Sequence, residues 1–445
     1  MTATYTLREY GELQVGSTSD LRNGCLSEGQ ADHLQSLSRR YRADIFKRTG
    51  KSVVKAQQFV GVVQTNTMAI EVLPKIDGLT DDGDVRKNLV MMLARTRNLD
   101  IREGEVANLA IQHNVLEVVI RLFINRLFAE VHRGLIHRYE TREENLPLLR
   151  GRLHTTRHAV LNAAHPERFL CRFEEFQGDH PLNQALKAAV ALLRRVSLNE
   201  ENLRCLSELQ FALDDVTTLS PGSVPWERIS LDRTNVRFHT LIALARIFLR
   251  GDAQDVSRGE KVGFSLLFDM NKLFEEYIGR IVVESQRGTG VVVTLQSPEQ
   301  YLLEDTATGR GAFLAQPDVV ARKSGLSQWI IDTKWKLLDP AETYASVAQA
   351  DIYQMMGYAH RYGCPDIMLL YPHVSRLGRP GTQRTYRLLG PPTDAQQSAV
   401  PMNIRVCTVA LENLASVEMQ VRRLIPLGDG EQHGGRDITL GRAMA

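Results

Sequence analysis

Two aspartates and one lysine stand at the ends of two neighbouring apolar runs in the last third of the chain. Asp318 precedes the first run, Asp332 ends the second, and Lys334 follows two residues later. The turn-like segment 322–325 separates the runs, a pattern typical of two strands joined by a short loop. Because side chains alternate along a strand, Asp332 and Lys334 are expected on one face. The pattern therefore predicts that two carboxylates and an amine converge at one end of a sheet.

These three groups could bind and use a divalent cation. Two carboxylates at close range repel each other, and a cation between them removes the repulsion. Such oxygen ligands suit Mg²⁺, with Mn²⁺ as the alternative, and Mg²⁺ usually takes only one or two protein carboxylates. A water bound to the ion is a nucleophile at neutral pH, and a nearby lysine orients it or stabilises developing charge. The competing interpretation is a β-hairpin with solvated charges at its end, because the tripeptide Asp-x-Lys alone is weak evidence.

Two predicted helices flank this hairpin and carry further polar residues. The helix predicted over 266–278 has an apolar side and bears Glu275 beside it. The helix predicted over 347–362 contains Gln354 and Tyr358, which share one face because they are four residues apart. Both helices could therefore present polar groups to the two aspartates, and the competing interpretation for Glu275 is a surface position.

Length and composition limit the classes of protein. The 445 residues suffice for two or three domains, and contents of 43% hydrophobic and 24% charged residues are ordinary for a soluble globular protein. The formal net charge is only +2, so any binding of nucleic acid depends on a local patch.

Cysteine spacing and hydropathy predict a cytoplasmic protein without a membrane span. The five cysteines are scattered and form no Cys-x-x-Cys pair, which argues against zinc and iron–sulfur sites and favours reduced thiols. The first ten residues contain no apolar signal core. The most apolar long stretch, 115–131, is interrupted by charged residues, so it is interpreted as a core helix.

Changes in composition predict four segments. Residues 1–84 are β-rich, residues 85–258 are mostly helical, and residues 259–427 contain the two aspartates. Residues 428–445 are rich in glycine and polar residues and are predicted to form a disordered tail. The expected fold class is α/β (α+β overall), with a C-terminal mixed sheet flanked by helices.

The middle segment contains a charge-dense stretch, 138–153. Arg150 and Arg152 lie in it, on either side of a glycine, and we interpret the stretch as a basic surface. Such a surface could contact DNA or an acidic partner, and a solvated face is an equally weighted alternative.

At the aspartates and the lysine the chain resembles the PD-(D/E)XK nuclease superfamily. Asp318 corresponds to the aspartate of the Pro-Asp pair, Asp332 to the second acid and Lys334 to the lysine. The resemblance implies a restriction-endonuclease-like sheet in residues 259–427. It also implies that the helix before the hairpin supplies a further glutamate to the metal site, which would be Glu275.

The helix after the hairpin resembles one found in RecB-type nucleases of the same superfamily. There a Gln-x-x-x-Tyr motif follows the lysine strand and lies near the DNA. This implies a supporting, DNA-facing role for Gln354 and Tyr358.

Over most of its length the chain resembles the McrC family, the nuclease subunits of McrBC-type modification-dependent restriction systems. The resemblance depends on short motifs in a fixed order, together with the acid and lysine set: 61–64, 70–76, 149–152, 179–187, 269–275 and 369–372. Each motif alone is weak, whereas their order along one chain is specific.

This resemblance implies a division of labour. McrC relatives act with an AAA+ GTPase partner, McrB, which forms hexameric rings, reads modified double-stranded DNA and translocates it. The relative docks on the ring, stimulates nucleotide hydrolysis and cuts the DNA. The present chain has no Walker motif of its own, which agrees with that arrangement. Its front half would be the docking part, with Arg150 and Arg152 as contacts, and the partner would use GTP or ATP.

Two alternatives remain open at this stage. The chain could be a RecB-like repair nuclease that acts alone on DNA ends with Mg²⁺ and no nucleotide. It could also be a catalytically silent adaptor that keeps the nuclease fold as a scaffold and activates an AAA+ ATPase. The intact set of two aspartates and a lysine argues against the silent adaptor.

Overall fold

A computed structural model provides the structure of the chain. It describes residues 4–17, 19–65, 68–249, 253–255, 263–296, 300–342, 346–389 and 401–425. The tail predicted over 428–445 lies outside the described residues.

The chain forms two compact units. The first comprises Met1–Pro74 and Asp82–Asp269, and the second comprises Lys75–Asp81 and Met270–Ala445. The segments predicted over 1–84 and 85–258 therefore belong mostly to one unit, and the boundary before the C-terminal unit lies at residues 269 and 270 rather than 259.

Unit 1 is built from both strands and helices. Its described strands are β1 (Thr4–Arg8), β2 (Glu12–Gly16), β3 (Cys25–Ser27), β4 (Phe46–Thr49), β5 (Val53–Ala56), β6 (Phe59–Thr65), β7 (Ala69–Leu73), β8 (Arg138–Leu146), β9 (Arg152–Leu153), β10 (Phe169–Gln177), β11 (Ala253–Asp255) and β12 (Gly263–Asp269). Its described helices are α1 (Glu28–Tyr41), α2 (Asp82–Thr96), α3 (Glu103–Gln112), α4 (Val115–His132), α5 (Thr155–Leu161), α6 (Pro181–Val196), α7 (Glu200–Ala212) and α8 (His239–Leu249).

The described strands of unit 1 form three sheets. One has the order β1-β7-β6-β12-β11, one has the order β3-β2-β5-β4, and one has the order β8-β10-β9. β6 and β7 form an antiparallel hairpin in which Val63 pairs with Ile70. The buried apolar residues of the first two sheets and of α1 share one core, which holds the strands together through the hydrophobic effect.

The charge-dense stretch folds as part of the third sheet rather than as an irregular surface. In this sheet β10 pairs antiparallel with both β8 and β9. Gly151 has a φ of +64°, and a Cβ at this position would lie 2.6 Å from the backbone oxygen of Arg172. Glycine is therefore required between the two predicted docking arginines.

Unit 2 has a central sheet and three helices in its described residues. Its strands are β13 (Val292–Leu295), β14 (Gln300–Asp305), β15 (Arg310–Ala315), β16 (Val319–Lys323), β17 (Leu326–Thr333), β18 (Asp366–Pro372), β19 (Gly381–Arg387) and β20 (Asn403–Val409). Its helices are α9 (Met270–Ser285), α10 (Gln349–Tyr362) and α11 (Leu414–Leu424).

The central sheet is mixed and has the order β13-β16-β17-β18-β20-β19. β17, β18 and β20 run parallel, while β13 with β16, β16 with β17 and β19 with β20 are antiparallel pairs. The middle strands are buried on both faces, which agrees with their continuous runs of valine, isoleucine and leucine. A core cluster joins α10 to this sheet through Met355 and Ala359.

The helix predicted over 266–278 is present over residues 270–278 but not over residues 266–269. Residues Gly263–Asp269 form a strand, and the helix begins at Met270. The run of large apolar residues before Asp269 fits a buried strand as well as a helix, so periodicity over so few residues does not separate the two.

A search of the described residues finds no helix that is both long and apolar enough to span a bilayer.

Candidate functional site

The strand pair β16 and β17 brings the two predicted aspartates together. The strands are joined by a tight turn in which Ser324 and Gly325 both have positive φ, the backbone of a two-residue hairpin loop. Val319 pairs with Ile331, so the start of β16 lies beside the end of β17. Asp318 precedes the first strand and Asp332 is near the end of the second, which places both at one edge of the sheet.

Asp318 is held by the chain that follows the second aspartate. Its Oδ2 accepts hydrogen bonds from the backbone N and the Oγ1 of Thr333, each at 2.7 Å. Burial raises the pKa of Asp318, although the two Thr333 donors act to lower it. The remaining oxygen, Oδ1, is left for another ligand.

Asp332 forms an ion pair with Lys334 deep in the site. Asp332 Oδ2 lies 2.7 Å from Lys334 Nζ, and its side chain is only 3% exposed. Among the described residues this buried oxygen has no hydrogen-bond partner besides the ammonium of this ion pair. Burial, and then the charge of Asp318, raise the pKa of Asp332 to about 7.

The backbone and the side chain of Lys334 both donate hydrogen bonds. Its backbone N donates to Leu370 O at 2.9 Å, which extends the pairing of β17 with β18 by one residue. Its Nζ donates to Gln354 Oε1 at 3.1 Å. Burial alone would lower the pKa of Lys334, but the Asp332 carboxylate and further acids raise it, so the lysine is an ammonium in the site.

The predicted pair on α10 faces the same edge. Gln354 Nε2 donates to Tyr358 Oη at 2.7 Å, and Tyr358 Oη donates to the backbone oxygen of Gln316 at 3.1 Å. Gln354, Tyr358 and Gln316 therefore connect Lys334 to the segment that carries Asp318.

Glu275 approaches the site from α9. Its pKa is raised by burial and then by the nearby charge of Asp318. It also accepts a hydrogen bond from Gln296 Nε2, and the backbone N of Gln296 donates to Asp318 O at 2.9 Å. Gln296 thus couples the predicted supporting glutamate to the first aspartate.

The donor set fits a hard divalent cation held by two carboxylates. Across the described residues no three histidine, cysteine, aspartate or glutamate side chains are grouped closely enough to hold one metal ion. Magnesium needs no more than one or two protein carboxylates, since waters complete its shell. The buried Oδ2 of Asp332 and the Oδ1 of Asp318 are suitable ligands. Glu275 is near enough to Asp318 for the charge of that aspartate to raise the pKa of Glu275.

Two residues that sequence reasoning missed also belong to this site. Asp351 Oδ1 lies 4.0 Å from Lys334 Nζ. Tyr371, which is fully buried, directs its hydroxyl to Asp351 Oδ2 at 3.5 Å. Asp351 precedes Gln354 by three residues, so the same helical spacing that pairs Gln354 with Tyr358 could have identified it.

Arg150 and Arg152 lie in unit 1, on the sheet of β8, β9 and β10. Arg150 Nη2 is 3.1 Å from Glu175 Oε1, and its guanidinium lies 4.1 Å from the centre of the Phe173 ring. Arg152 begins β9 and is exposed.

The stretch around these arginines is less basic than the sequence interpretation assumed. Residues 138–177 contain seven arginines and six glutamates. Several of the arginines are ion-paired within the sheet, among them Arg142 with Glu175 and Arg157 with Glu143.

Unit 2 thus has the architecture of a restriction-endonuclease-like mixed sheet, with two aspartates and a lysine at one edge. Residues 54–372 match a family model described as "McrBC 5-methylcytosine restriction system component". Because this match covers more than half of the chain, the chain belongs to the McrBC family.

One solved structure shows the same fold. It is described as "Refined half-complex from tetradecameric assembly of Thermococcus gammatolerans McrB AAA+ hexamers with bound McrC". A chain of it matches with a TM-score of 0.67 and 21% identity over 95% of this chain and 99% of that chain. Another, the "Cryo-EM structure of the Thermococcus gammatolerans McrBC complex", has a TM-score of 0.49 and 25% identity over 64% of this chain and 88% of that chain. Comparison with curated proteins returned no match.

Proposed function

We propose that the chain is a metal-dependent endodeoxyribonuclease, the cutting subunit of an McrBC-type restriction complex in the cytoplasm. The observation that carries this proposal is the convergence of Asp318, Asp332 and Lys334 at one edge of a restriction-endonuclease-like sheet. The substrate class is double-stranded DNA, modified in the manner that the family description implies.

The residues of the site divide the work of phosphodiester hydrolysis. Asp318, Asp332 and the backbone carbonyl of Thr333 would hold Mg²⁺ or Mn²⁺, with Glu275 in support. When bound, the ion supplies an activated water and polarises a phosphate oxygen. Lys334, a cation held between acids, stabilises the negative charge that develops on the phosphate rather than accepting a proton.

Gln354 and Tyr358 hold the side chain of Lys334 in place relative to the start of β16. Their hydrogen bonds run from Lys334 Nζ to the backbone of Gln316, two residues before Asp318. Substitution of either residue would leave the side chains of Lys334 and Asp318 less firmly positioned, without removing a metal ligand.

The test is cleavage of plasmid DNA by Asp332→Ala, Lys334→Ala and a matched surface variant, Glu418→Ala. Glu418 is an exposed helical residue of unit 2 that pairs with Arg422. We expect the first two variants to lose at least about a thousandfold in rate, the scale seen when a principal catalytic group is removed, and Glu418→Ala to cut normally. Normal cleavage by Asp332→Ala would refute the site.

The same assay separates this proposal from its alternatives. Each reaction is run with Mg²⁺, with and without an McrB-like AAA+ partner and GTP or ATP. Cleavage that requires the partner and nucleotide supports the restriction complex, and cleavage without them identifies a stand-alone RecB-like nuclease. Stimulation of the partner without any cleavage by the parent chain identifies a silent adaptor.

The sheet of β8, β9 and β10 is the proposed docking region for the partner ring. Besides the two predicted arginines, the segments that connect its strands expose several large apolar side chains: Leu148 and Leu149 between β8 and β9, and Val160 and Leu161 in α5. Isolated exposed apolar residues are ordinary, whereas a group of them next to cations is typical of a protein interface.

The docking proposal is tested by the double variant Arg150→Glu, Arg152→Glu, with Arg422→Glu as the control. We expect the double variant to lose stimulation of nucleotide hydrolysis by the McrB-like partner while the control keeps it. Because Arg150 is already paired with Glu175, Arg152→Glu alone should account for most of the loss. Full stimulation by the double variant contradicts this placement.

A further inference from the structure

The ammonium of Lys334 contacts the oxygen of Asp332 that would bind a metal ion. Lys334 Nζ is 2.7 Å from Asp332 Oδ2, a buried atom that has no hydrogen-bond partner among the described residues besides this ammonium. A divalent cation and an ammonium cannot both occupy that position, because like charges repel strongly at this range in a partly desolvated site. Binding of the cation therefore requires the ammonium to move, and the site must offer it another anion.

Asp351 is the anion best placed to receive it. Its Oδ1 is 4.0 Å from Lys334 Nζ, so a shift of about 1 Å brings the two groups to the distance of a charge-assisted hydrogen bond. Its other oxygen faces the hydroxyl of Tyr371 at 3.5 Å, and Tyr371 is fully buried in β18. The carboxylate is thus held in place with one oxygen directed towards the lysine.

Gln354 makes the short movement feasible. Its Oε1 accepts from Lys334 Nζ at 3.1 Å, and its amide donates to Tyr358, which fixes the orientation of the side chain. Gln354 and Asp351 lie one helical turn apart on α10, on the same side of the helix. The ammonium can therefore pivot about the Gln354 oxygen from Asp332 to Asp351.

We propose that Asp351 is a positioning residue that takes over Lys334 from Asp332 when a divalent cation enters the site. In the cation-free chain the ammonium neutralises Asp332. In the loaded chain it pairs with Asp351 and is then directed at the phosphate rather than buried against a metal ligand. This inference depends on the metal role assigned to Asp332 under Proposed function.

The experiment is a double-mutant cycle that measures cation binding rather than cleavage. Mn²⁺ is titrated calorimetrically into the full-length parent chain, Asp351→Asn, Lys334→Met and the double variant, in the absence of DNA. We expect Asp351→Asn to weaken Mn²⁺ binding about tenfold in the parent, which lies in the usual range of coupling between neighbouring side chains. In the Lys334→Met background the same substitution should change affinity by no more than about threefold, because no ammonium needs a new partner.

The cycle distinguishes this role from a general loss of negative charge. If Asp351 attracts the cation only through its charge, its removal weakens binding equally in both backgrounds, and the proposal is overturned. Asp351→Glu should restore affinity to within about threefold of the parent, since a carboxylate is returned to the same helix face. Asp305→Asn, which changes an exposed aspartate in the turn after β14, is the matched control and should bind Mn²⁺ as the parent does.

Failure of the inference and failure of the proposed function give different results. A parent chain that binds no Mn²⁺ overturns the metal site itself. A parent chain that binds Mn²⁺ while Asp351→Asn binds it equally well leaves the metal site intact and overturns only the role of Asp351. Circular dichroism melting of each variant confirms that the compared chains are folded, and Asp351→Glu gives a second independent reading if Asp351→Asn is unstable.

Discussion

The chain buries two carboxylates in very different ways. Glu71, on β7 of unit 1, is fully buried and pairs with Arg86 at 2.8 Å, while Thr6 Oγ1 and the backbone N of Val115 also donate to it. Asp332, on β17 of unit 2, is almost as buried, but among the described residues its Oδ2 has the ammonium of Lys334 as an ion-pair partner and no further hydrogen-bond partner. Each buried charge is desolvated, and only Glu71 is compensated by donors on both oxygens.

The difference separates a carboxylate with a structural role from one that suits the proposed metal site. Glu71 ties β7 to β1 and to the helices α2 and α4, so its hydrogen bonds contribute to the stability of unit 1. Asp332 lacks such partners, and its pKa is raised to about 7 by burial and by Asp318. A carboxylate left in this state costs folding free energy, which is the expected signature of a group kept for binding or catalysis.

The largest expected effect on stability is that of Glu71→Ala. The substitution removes the carboxylate partner of Arg86, which retains Ala110 O as an acceptor, and takes away the acceptor of the backbone N of Val115. We expect a loss of about 3–5 kcal/mol in the free energy of unfolding, the usual cost of breaking a buried ion pair from one side. Urea denaturation followed by circular dichroism measures it, and a loss below about 1 kcal/mol would contradict the structural role.

A second buried carboxylate of unit 1 tests whether this behaviour is general. Glu117 accepts hydrogen bonds from Ser197 Oγ, the backbone N of Leu198 and Asn202 Nδ2, at 2.7–2.8 Å. We expect Glu117→Ala to cost about 2–4 kcal/mol, less than Glu71→Ala because no arginine loses a carboxylate partner. If Glu117→Ala destabilises the chain as much as Glu71→Ala or more, the loss of the Arg86 ion pair does not explain the cost of Glu71→Ala.

In metal-free buffer, Asp332→Asn should raise the free energy of unfolding, whereas the two preceding substitutions lower it. The pKa of Asp332 is raised in the folded chain, so its contribution to stability is present at low pH and is lost as the pH rises through about 7. At pH 8 with EDTA, we expect the uncharged variant to be more stable than the parent by about 1–2 kcal/mol. The gain should vanish by pH 4, and scanning calorimetry at both values measures it; a gain that does not depend on pH would contradict the assignment.

The smallest effect is expected at an exposed carboxylate. Glu418 pairs with Arg422 at 2.9 Å on the surface of α11. We expect Glu418→Ala to change the free energy of unfolding by no more than about 0.5 kcal/mol, the usual range for an exposed helical ion pair. A change comparable with that of Glu71→Ala would mean that burial is not what distinguishes these carboxylates.

Local sequence pattern was sufficient to predict which side chains meet where those side chains are close to each other along the chain. The Pro-Asp pair, the two apolar runs and the spacing of Asp332 and Lys334 predicted the hairpin, which the structure confirms. Helical spacing predicted that Gln354 and Tyr358 share a face, and they are hydrogen-bonded to each other. In both cases the period of the secondary structure alone sets which side chains meet.

Sequence pattern was insufficient where the composition of a stretch was used to infer the arrangement of its side chains. The stretch 138–153 was interpreted as a basic surface, although two of its arginines, Arg142 and Arg150, pair with Glu175 on the neighbouring strand β10. The apolar run before Met270 was taken as helix because a short buried strand has no distinctive period. Asp351 was missed although it lies one helical turn before Gln354, because its distance to Lys334, a residue of another element, is set by tertiary packing.

The sequence by itself determined which residues are proposed to react, Asp318, Asp332 and Lys334, and their order along two adjacent strands. It did so because a two-residue turn and the alternation of a strand leave few other arrangements. Only the tertiary structure decided which carboxylates are compensated. Hydrogen-bond donors for Glu71 come from three distant segments, and the ammonium of Lys334 is placed between Asp332 and Asp351 by the packing of α10 on the sheet. Those distances depend on how separate elements pack, which no local pattern records.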